Sequence, residues 1–193
     1  MWHQHLSKLI EVTDSQGIAR RFFVTNGFDG ALTMIGLFMG FYLSDDATVA
    51  VAIKAGVGAA VALFMSGSTS AYISESAERA REIAELENAM SKDLSGSIHS
   101  QAARIIPFWV ALVNGLSPLI ISLLIMSPLW LNLAGITLPG NIFLWVIGLS
   151  GIAIFVLGLY LSTVSGQHWL VSGIKAILIA GTTLLVILLL DSI

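Results

Sequence analysis

The chain has 193 residues, of which 56% are hydrophobic and only 11% are charged. Soluble domains carry about 25% charged residues, so this composition excludes an ordinary soluble protein and indicates a lipid bilayer as the solvent. The net charge of −3 and the scattered basic residues do not suit nucleic-acid binding. The absence of cysteine excludes disulfides, thiolate metal ligands and cysteine nucleophiles.

Residues 1–21 form a polar segment with an apolar stripe. Trp2, Leu6 and Leu9 fall near one face of a helix, which predicts a short amphipathic helix that lies on the membrane surface. We expect Gly17 to end this helix and Arg20 to mark the water interface.

Five apolar segments follow, each close to the ~20 residues that cross the hydrocarbon core as a helix. They lack the alternation typical of membrane β-strands, so we predict an all-α protein with five transmembrane helices. Turns are expected at 44–46, 127–128 and 138–140, and Pro118 predicts a kink inside the third span. The predicted spans are 22–43, 49–73, 105–126, 142–161 and 170–190.

Basic residues predict the orientation. Seven of the nine lie either in 1–21 or in the loop 75–104, and the loops near 44–48 and 127–141 have none. The positive-inside rule therefore places the N-terminus and the loop 75–104 in the cytoplasm. The other two, Lys54 and Lys175, lie within spans near opposite ends and are expected to reach the headgroups.

Asp29 is the one acidic residue deep in a predicted span, seven residues after Phe22 and so roughly 10 Å below the surface. Such carboxylates usually face a bundle interior or a wet cavity and mark an ion or proton path. Alternatively, Asp29 pairs with Asn26 or Thr33, or caps a helix that begins later. The glycines on either side leave backbone open to close approach by another helix or an ion.

An acidic stripe follows the second span. Glu75, Glu78, Glu82 and Glu85 fall within about 80° of one another on a helix that extends span two. Carboxylates suit Mn²⁺ and Fe²⁺, so Glu78, Glu82 and Glu85 are candidates for cytoplasmic metal capture. Alternatively, the stripe is a solvated face with Glu75–Arg79 and Glu78–Arg81 ion pairs.

Gly36 and Gly40 form a Gly-x-x-x-Gly pair in the first span. Small residues let membrane helices approach closely, and Asp29 lies within about 20° of the glycine face. We therefore predict that this face forms a homodimer interface. Alternatively, the glycines pack against another helix of the same protomer.

Three stretches occur in a familiar order. Residues 20–33 include the pair Asp29-Gly30 and a short run that ends in Thr33; residues 70–75 end in Glu75; and residues 114–119 combine small residues with proline. In this order and spacing they resemble the vacuolar iron transporter family, and five spans with the long loop after the second agree with it over nearly the whole chain.

The resemblance implies export of Fe²⁺, and often Mn²⁺, from the cytosol by proton antiport through a homodimer. Asp29 corresponds to the family's first-span ion ligand. The family's Glu position in span two is Ala71 here and its Met position is Gly67, so the nearby Met65, together with Glu75, is assigned to the ion path. The loop 75–104 is too short for the three-helix metal-binding domain of plant and fungal members.

The sequence therefore predicts a multi-pass divalent metal transporter of the cell membrane, with no cofactor beyond the transported ion. No catalytic motif is found, so an enzyme is not expected. Two alternatives stay open. One is a transporter of another solute in which Asp29 only relays protons, and the other is a non-transporting membrane scaffold.

Overall fold

The structure is a computed structural model that describes residues 15–165 and 168–192. Within these residues it is all-helical, and five of its six helices are long and apolar enough to cross a membrane. The chain is thus a membrane protein with five candidate transmembrane helices, as predicted. The helices are α1 Ser15–Leu43, α2 Val49–Met90, α3 Ile98–Ile125, α4 Ser127–Leu133, α5 Ile142–Ser165 and α6 Trp169–Asp191.

Helix α1 begins before the predicted first span. Gly17 lies inside α1, so the expectation that it ends a separate N-terminal helix was wrong. One interior glycine costs only about 1 kcal/mol, and the long apolar helix that follows outweighs this. The amphipathic segment predicted for 1–14 lies outside the described residues.

Helix α2 has 42 residues, about 63 Å at 1.5 Å per residue, and this is twice the ~30 Å hydrocarbon thickness. The predicted helical extension beyond residue 73 is therefore confirmed. The helix ends before Ser91, whose φ of 49° is left-handed. In the turn that follows, the Ser95 backbone N–H and hydroxyl donate to the Asp93 carboxylate and lower its pKa.

The two proline-containing turns behave differently. The turn expected at Ser127-Pro128 was wrong, because these residues open helix α4. Proline is favoured in a first helical turn, where the missing N–H has no partner to lose. The turn at 138–140 is confirmed: Gly140 has a φ of 79°, and Trp145 Nε1 donates to the Pro139 carbonyl at 3.0 Å.

The described residues form two compact units, one within 1–23 and 64–116 and the other within 24–63 and 117–193. Helices α1, α2 and α3 contribute to both. In the first unit, one face of α3 is buried at a spacing of four residues, and it packs with α1 side chains. The buried residues are Ala102, Ile106 and Val110, and Ile18 and Phe22 pack against them.

The second unit has the larger core. Its largest fully buried side chains come from α1, from the α3–α4 junction and from α5, and Phe38, Phe41 and Phe143 form a ring cluster with centroids 5.9–6.3 Å apart. Helices α5 and α6 cross closely, since a Cβ on Gly158 would lie 2.6 Å from Ala176 Cβ. The largest buried side chains are Met34, Ile35, Phe38, Met126, Leu129 and Ile154.

Candidate ion-path residues

Asp29 lies in the middle of α1, where the flanking glycines pack against α3. A Cβ on Gly30 would lie 2.9 Å from Pro118 Cα, and a Cβ on Gly27 would lie 2.6 Å from Ile121 Cδ1. Real Cβ atoms do not come this close to backbone, so only glycine at position 30 allows this approach of α1 to Pro118, whereas the end of the Ile121 side chain can move away from position 27. The predicted close approach at these glycines is confirmed, and the partner is helix α3.

The Asp29 side chain points away from this contact. At 100° per residue it lies about 130° from the midpoint of Gly27 and Gly30, and it is exposed on the surface of the chain. Asp29 is fourteen residues from the start of α1, so it does not cap the helix, and its pairing with Asn26 or Thr33 stays a prediction.

Gly36 and Gly40 have different surroundings. A Cβ on Gly36 would lie 3.9 Å from Ile187 Cδ1 of α6, whereas a Cβ on Gly40 would have nothing within 4 Å. Gly36 thus faces a helix of its own chain at ordinary van der Waals distance, and Gly40 is open. The dimer face stays a prediction. A substitution of Gly40 tests it more directly than one of Gly36, because Gly40 has no close neighbour in the described part of its own chain.

Met65 and Glu75 both lie on α2. Met65 is 56% exposed, and Glu75 is only 8% exposed. Ten residues of helix separate them by about 15 Å, so the two side chains cannot bind one ion together. On an ion path they would act at different levels.

Arg79 organises the first part of the acidic stripe. Its Nη2 lies 2.8 Å from Glu75 Oε1, and its Nη1 lies 2.8 Å from Glu82 Oε2. The side chains of Arg79 and Glu75 are each only 10% exposed. The predicted Glu75–Arg79 ion pair is confirmed, and one arginine serves two carboxylates.

The second predicted pair, Glu78–Arg81, was wrong. Arg81 Nε donates to Glu85 Oε1 at 2.8 Å instead. Residues four apart are offset by about 40° around a helix and residues three apart by about 60°, so Glu85 lies closer to the Arg81 side chain. Of the four stripe carboxylates, Glu78 alone has no ion pair within the described part of the chain.

No three carboxylate or imidazole side chains come together to hold a metal ion within residues 15–165 and 168–192. The acidic residues of the stripe are instead arranged around arginines. A strong metal site would therefore require ligands that this set of residues does not bring together.

A polar crossing of α2 and α3 was missed by the sequence reasoning. Asn114 Nδ2 donates to the Gly67 carbonyl at 2.6 Å, and Asn114 is only 4% exposed. A Cβ on Gly115 would collide with Ser68 Oγ and lie 2.6 Å from the Phe64 carbonyl. The signal was present in the sequence as an amide next to a glycine inside an apolar span, a combination that membrane helices use for interhelical hydrogen bonds.

Comparison with known proteins finds a relative that matches nearly the whole chain. The chain is 29% identical over 171 residues to an uncharacterized protein of Methanocaldococcus jannaschii, and this covers 87% of the chain and 85% of that protein. No protein-family model matches the chain. No solved structure matches it. The similarity extends over nearly the full length of both chains and carries no activity with it.

Proposed function

We propose that this chain is a divalent metal transporter of the cell membrane, similar to the vacuolar iron transporters. It exports Fe²⁺ or Mn²⁺ from the cytoplasm in exchange for protons and is not an enzyme. It works as a homodimer, with the N-terminus and the α2–α3 connection in the cytoplasm.

The placement of Asp29 carries this proposal. A carboxylate near the centre of a membrane helix costs about 2.5–3.5 kcal/mol on insertion scales, so Asp29 is unfavourable if its exposed side faces lipid. Its neighbours Gly27 and Gly30 hold α1 against α3 and leave the carboxylate on the opposite side. A water-filled path or a second copy of the chain against this side removes the cost.

A homodimer also supplies the missing ligands. Because the described residues of one chain bring no three ligands together, two protomers each contribute Asp29 to one bound ion. Two carboxylates that approach each other repel, and a divalent cation between them offsets that repulsion. Gly40, on the same face of α1 and open in the single chain, allows a second helix to come close.

Proton exchange follows from the same carboxylate. Metal ligands must be deprotonated, so protons compete with the metal for Asp29. Metal binds from the near-neutral cytoplasm, and protonation from the more acidic side weakens the ligand and releases the ion. A single carboxylate in each protomer is sufficient for this exchange.

The test is metal flux into liposomes that contain the purified full-length chain. With an acidic interior and metal outside, we expect Mn²⁺ and Fe²⁺ to enter and protons to leave, and both fluxes to stop when the pH gradient is abolished. Proton flux that depends on another solute and not on metal would favour the alternative in which Asp29 is a proton relay. Neither flux, with a folded protein, would favour a scaffold.

A further inference from the structure

A cleft of about 500 Å³ lies between α1, α5 and α6, entirely within the second unit. Its size is within the ~300–1,000 Å³ range of small-ligand sites. We infer that this cleft binds an anionic phospholipid, with the acyl chain along the apolar walls and the headgroup phosphate at Lys175. This inference does not depend on the proposed transport of metal.

Small residues form the cleft where α5 and α6 cross. A Cβ on Gly158 would lie 2.6 Å from Ala176 Cβ and 3.0 Å from the Ser172 carbonyl, so the two helices touch there. Larger apolar side chains, Phe28 and Leu32, line it from α1. Walls of this kind match an acyl chain, which needs dispersion contacts and no hydrogen bonds.

Lys175 gives the cleft its charge. Among the described residues that line the cleft it is the only ionisable one, and it is also the only lysine or arginine of the sequence after Arg104. It lies six residues into α6, about 9 Å along the helix. The long lysine stem spans much of that distance, so its ammonium reaches the level of the headgroups. Ser172, one helical turn earlier, also lines the cleft.

The surroundings of the cleft favour lipid as its occupant. The outward side chains of α6 are exposed to an extent typical of a helix that faces lipid, with Ile174 at 56% and Leu178 at 64%. A cleft beside such a surface is reached directly from the bilayer. A lysine on an apolar wall complements a phosphate that carries its own acyl chain, and basic pockets between membrane helices bind anionic headgroups in this way.

Native mass spectrometry of the full-length protein in mild detergent tests the inference. The probes are phosphatidylglycerol and phosphatidylcholine with identical acyl chains, and soluble glycerol phosphate. We expect phosphatidylglycerol to bind about fivefold more tightly than phosphatidylcholine, the ratio that corresponds to about 1 kcal/mol for one basic residue near an anionic headgroup. Glycerol phosphate, which lacks the acyl chains, should not bind.

Two variants separate the headgroup from the acyl chain. Lys175→Gln should abolish the preference for phosphatidylglycerol, and Lys54→Gln, which changes the other lysine within a span, should retain it. Ile179→Trp should fill the cleft and reduce binding of both lipids, whereas Ile177→Trp, on the same helix but outside the lining, should not.

Three results would overturn the inference. The first is equal binding of the two lipids by the wild-type protein. The second is a preference that survives Lys175→Gln. The third is a dimer that dissociates on Ile179→Trp while lipid binding is unchanged, because that result would assign the cleft to a second copy of the chain.

Discussion

Asp29 on α1 and Glu75 on α2 are both carboxylates on apolar helices, and the chain treats them in opposite ways. Glu75 is 8% exposed and has the Arg79 guanidinium at 2.8 Å. Asp29 is exposed on the chain surface between two glycines, and the ion pairs of the described residues do not include it. Glu75 thus has its countercharge built into its own helix, and Asp29 has no such fixed ion pair in the described part of the chain.

The difference distinguishes the Glu75 charge, which has a structural role, from the Asp29 charge, which can bind a cation that exchanges. Burial of an ion is compensated in Glu75 by a fixed partner one helical turn away, so a metal ion that binds Glu75 must first displace Arg79. Asp29 needs no displacement, because a proton, a metal ion or a second copy of the chain can take the open position. Of the two, Asp29 is the residue suited to exchange one cation for another.

The largest effect is expected for Asp29→Asn, which keeps the shape and removes the charge and the proton site. Metal flux should fall by about 100-fold or more, since even outer-shell partners of a bound metal contribute about 10–100-fold. Membrane insertion should be unchanged or improved. Asp45→Asn, in the turn after α1, is the matched control. Wild-type flux in Asp29→Asn liposomes would make the carboxylate structural.

The open side of α1 is tested next at its glycines. Gly36→Leu with Gly40→Leu should weaken the dimer and abolish transport with Asp29 untouched. Gly40→Leu alone is the cleaner variant, because a Cβ at this position meets nothing within 4 Å among the described residues of its own chain. Crosslinking or mass measurement reports the dimer. An intact dimer with normal flux in the double variant would assign these glycines to packing inside one protomer.

Substitutions of Arg79 and Arg81 compare how much a buried and an exposed ion pair contribute to the free energy of unfolding. Arg79→Gln leaves Glu75 buried without a cation and should cost about 3–5 kcal/mol of unfolding free energy. Arg81→Gln breaks an exposed pair, with side chains 71% and 63% exposed, and should cost less than about 1 kcal/mol. Denaturant unfolding in detergent measures both.

A second substitution shows whether the Arg79 effect comes from the charge left behind. Adding Glu75→Gln to Arg79→Gln removes the buried unpaired carboxylate, so most of the lost stability should return. Equal stability losses for Arg79→Gln and Arg81→Gln would mean that burial does not distinguish the two pairs.

The sequence was sufficient to predict the class of fold. Long apolar runs specify membrane helices with little ambiguity, since backbone polar groups in lipid must be satisfied within the helix. The predicted helix end at Gly17 was wrong because glycine can either stop a helix or be tolerated inside one. The predicted turn at Ser127-Pro128 was wrong because proline occurs both in turns and in the first turn of a helix.

The candidate site could be predicted only in part. Asp29 can be selected as a candidate from the sequence because a lone carboxylate in lipid is costly. The Glu75–Arg79 ion pair can be predicted because the two residues are four apart on a helix. Whether Arg81 pairs with Glu78 or with Glu85 depends on side-chain geometry. The Asn114 contact with Gly67 depends on which helices cross. No local pattern contains that information.

Alanine substitutions at Gly30 and Gly40 compare the packed and the open side of α1, with a smaller expected effect on stability. Gly30→Ala places a Cβ 2.9 Å from the backbone of Pro118 and should destabilise by about 1–3 kcal/mol, the range for overpacking. Gly40→Ala meets no neighbour and should stabilise the helix by up to about 1 kcal/mol. The same unfolding assay reports both, and a tolerated Gly30→Ala would mean that α1 and α3 are less tightly packed than the structure shows.

The smallest effect is expected at the acidic stripe. Replacing Glu78, Glu82 and Glu85 by Gln should raise the half-saturating metal concentration about two- to threefold and leave flux at saturating metal nearly intact, because a single exposed carboxylate without an arginine partner contributes roughly 0.5 kcal/mol to attraction of a cation. Glu82 and Glu85 already neutralise Arg79 and Arg81, so Glu78→Gln alone should account for most of the change. Arg81→Gln, which frees Glu85, should shift the concentration the other way. An unchanged half-saturating concentration in the triple variant would make the stripe a solvated, arginine-paired surface with no part in metal capture.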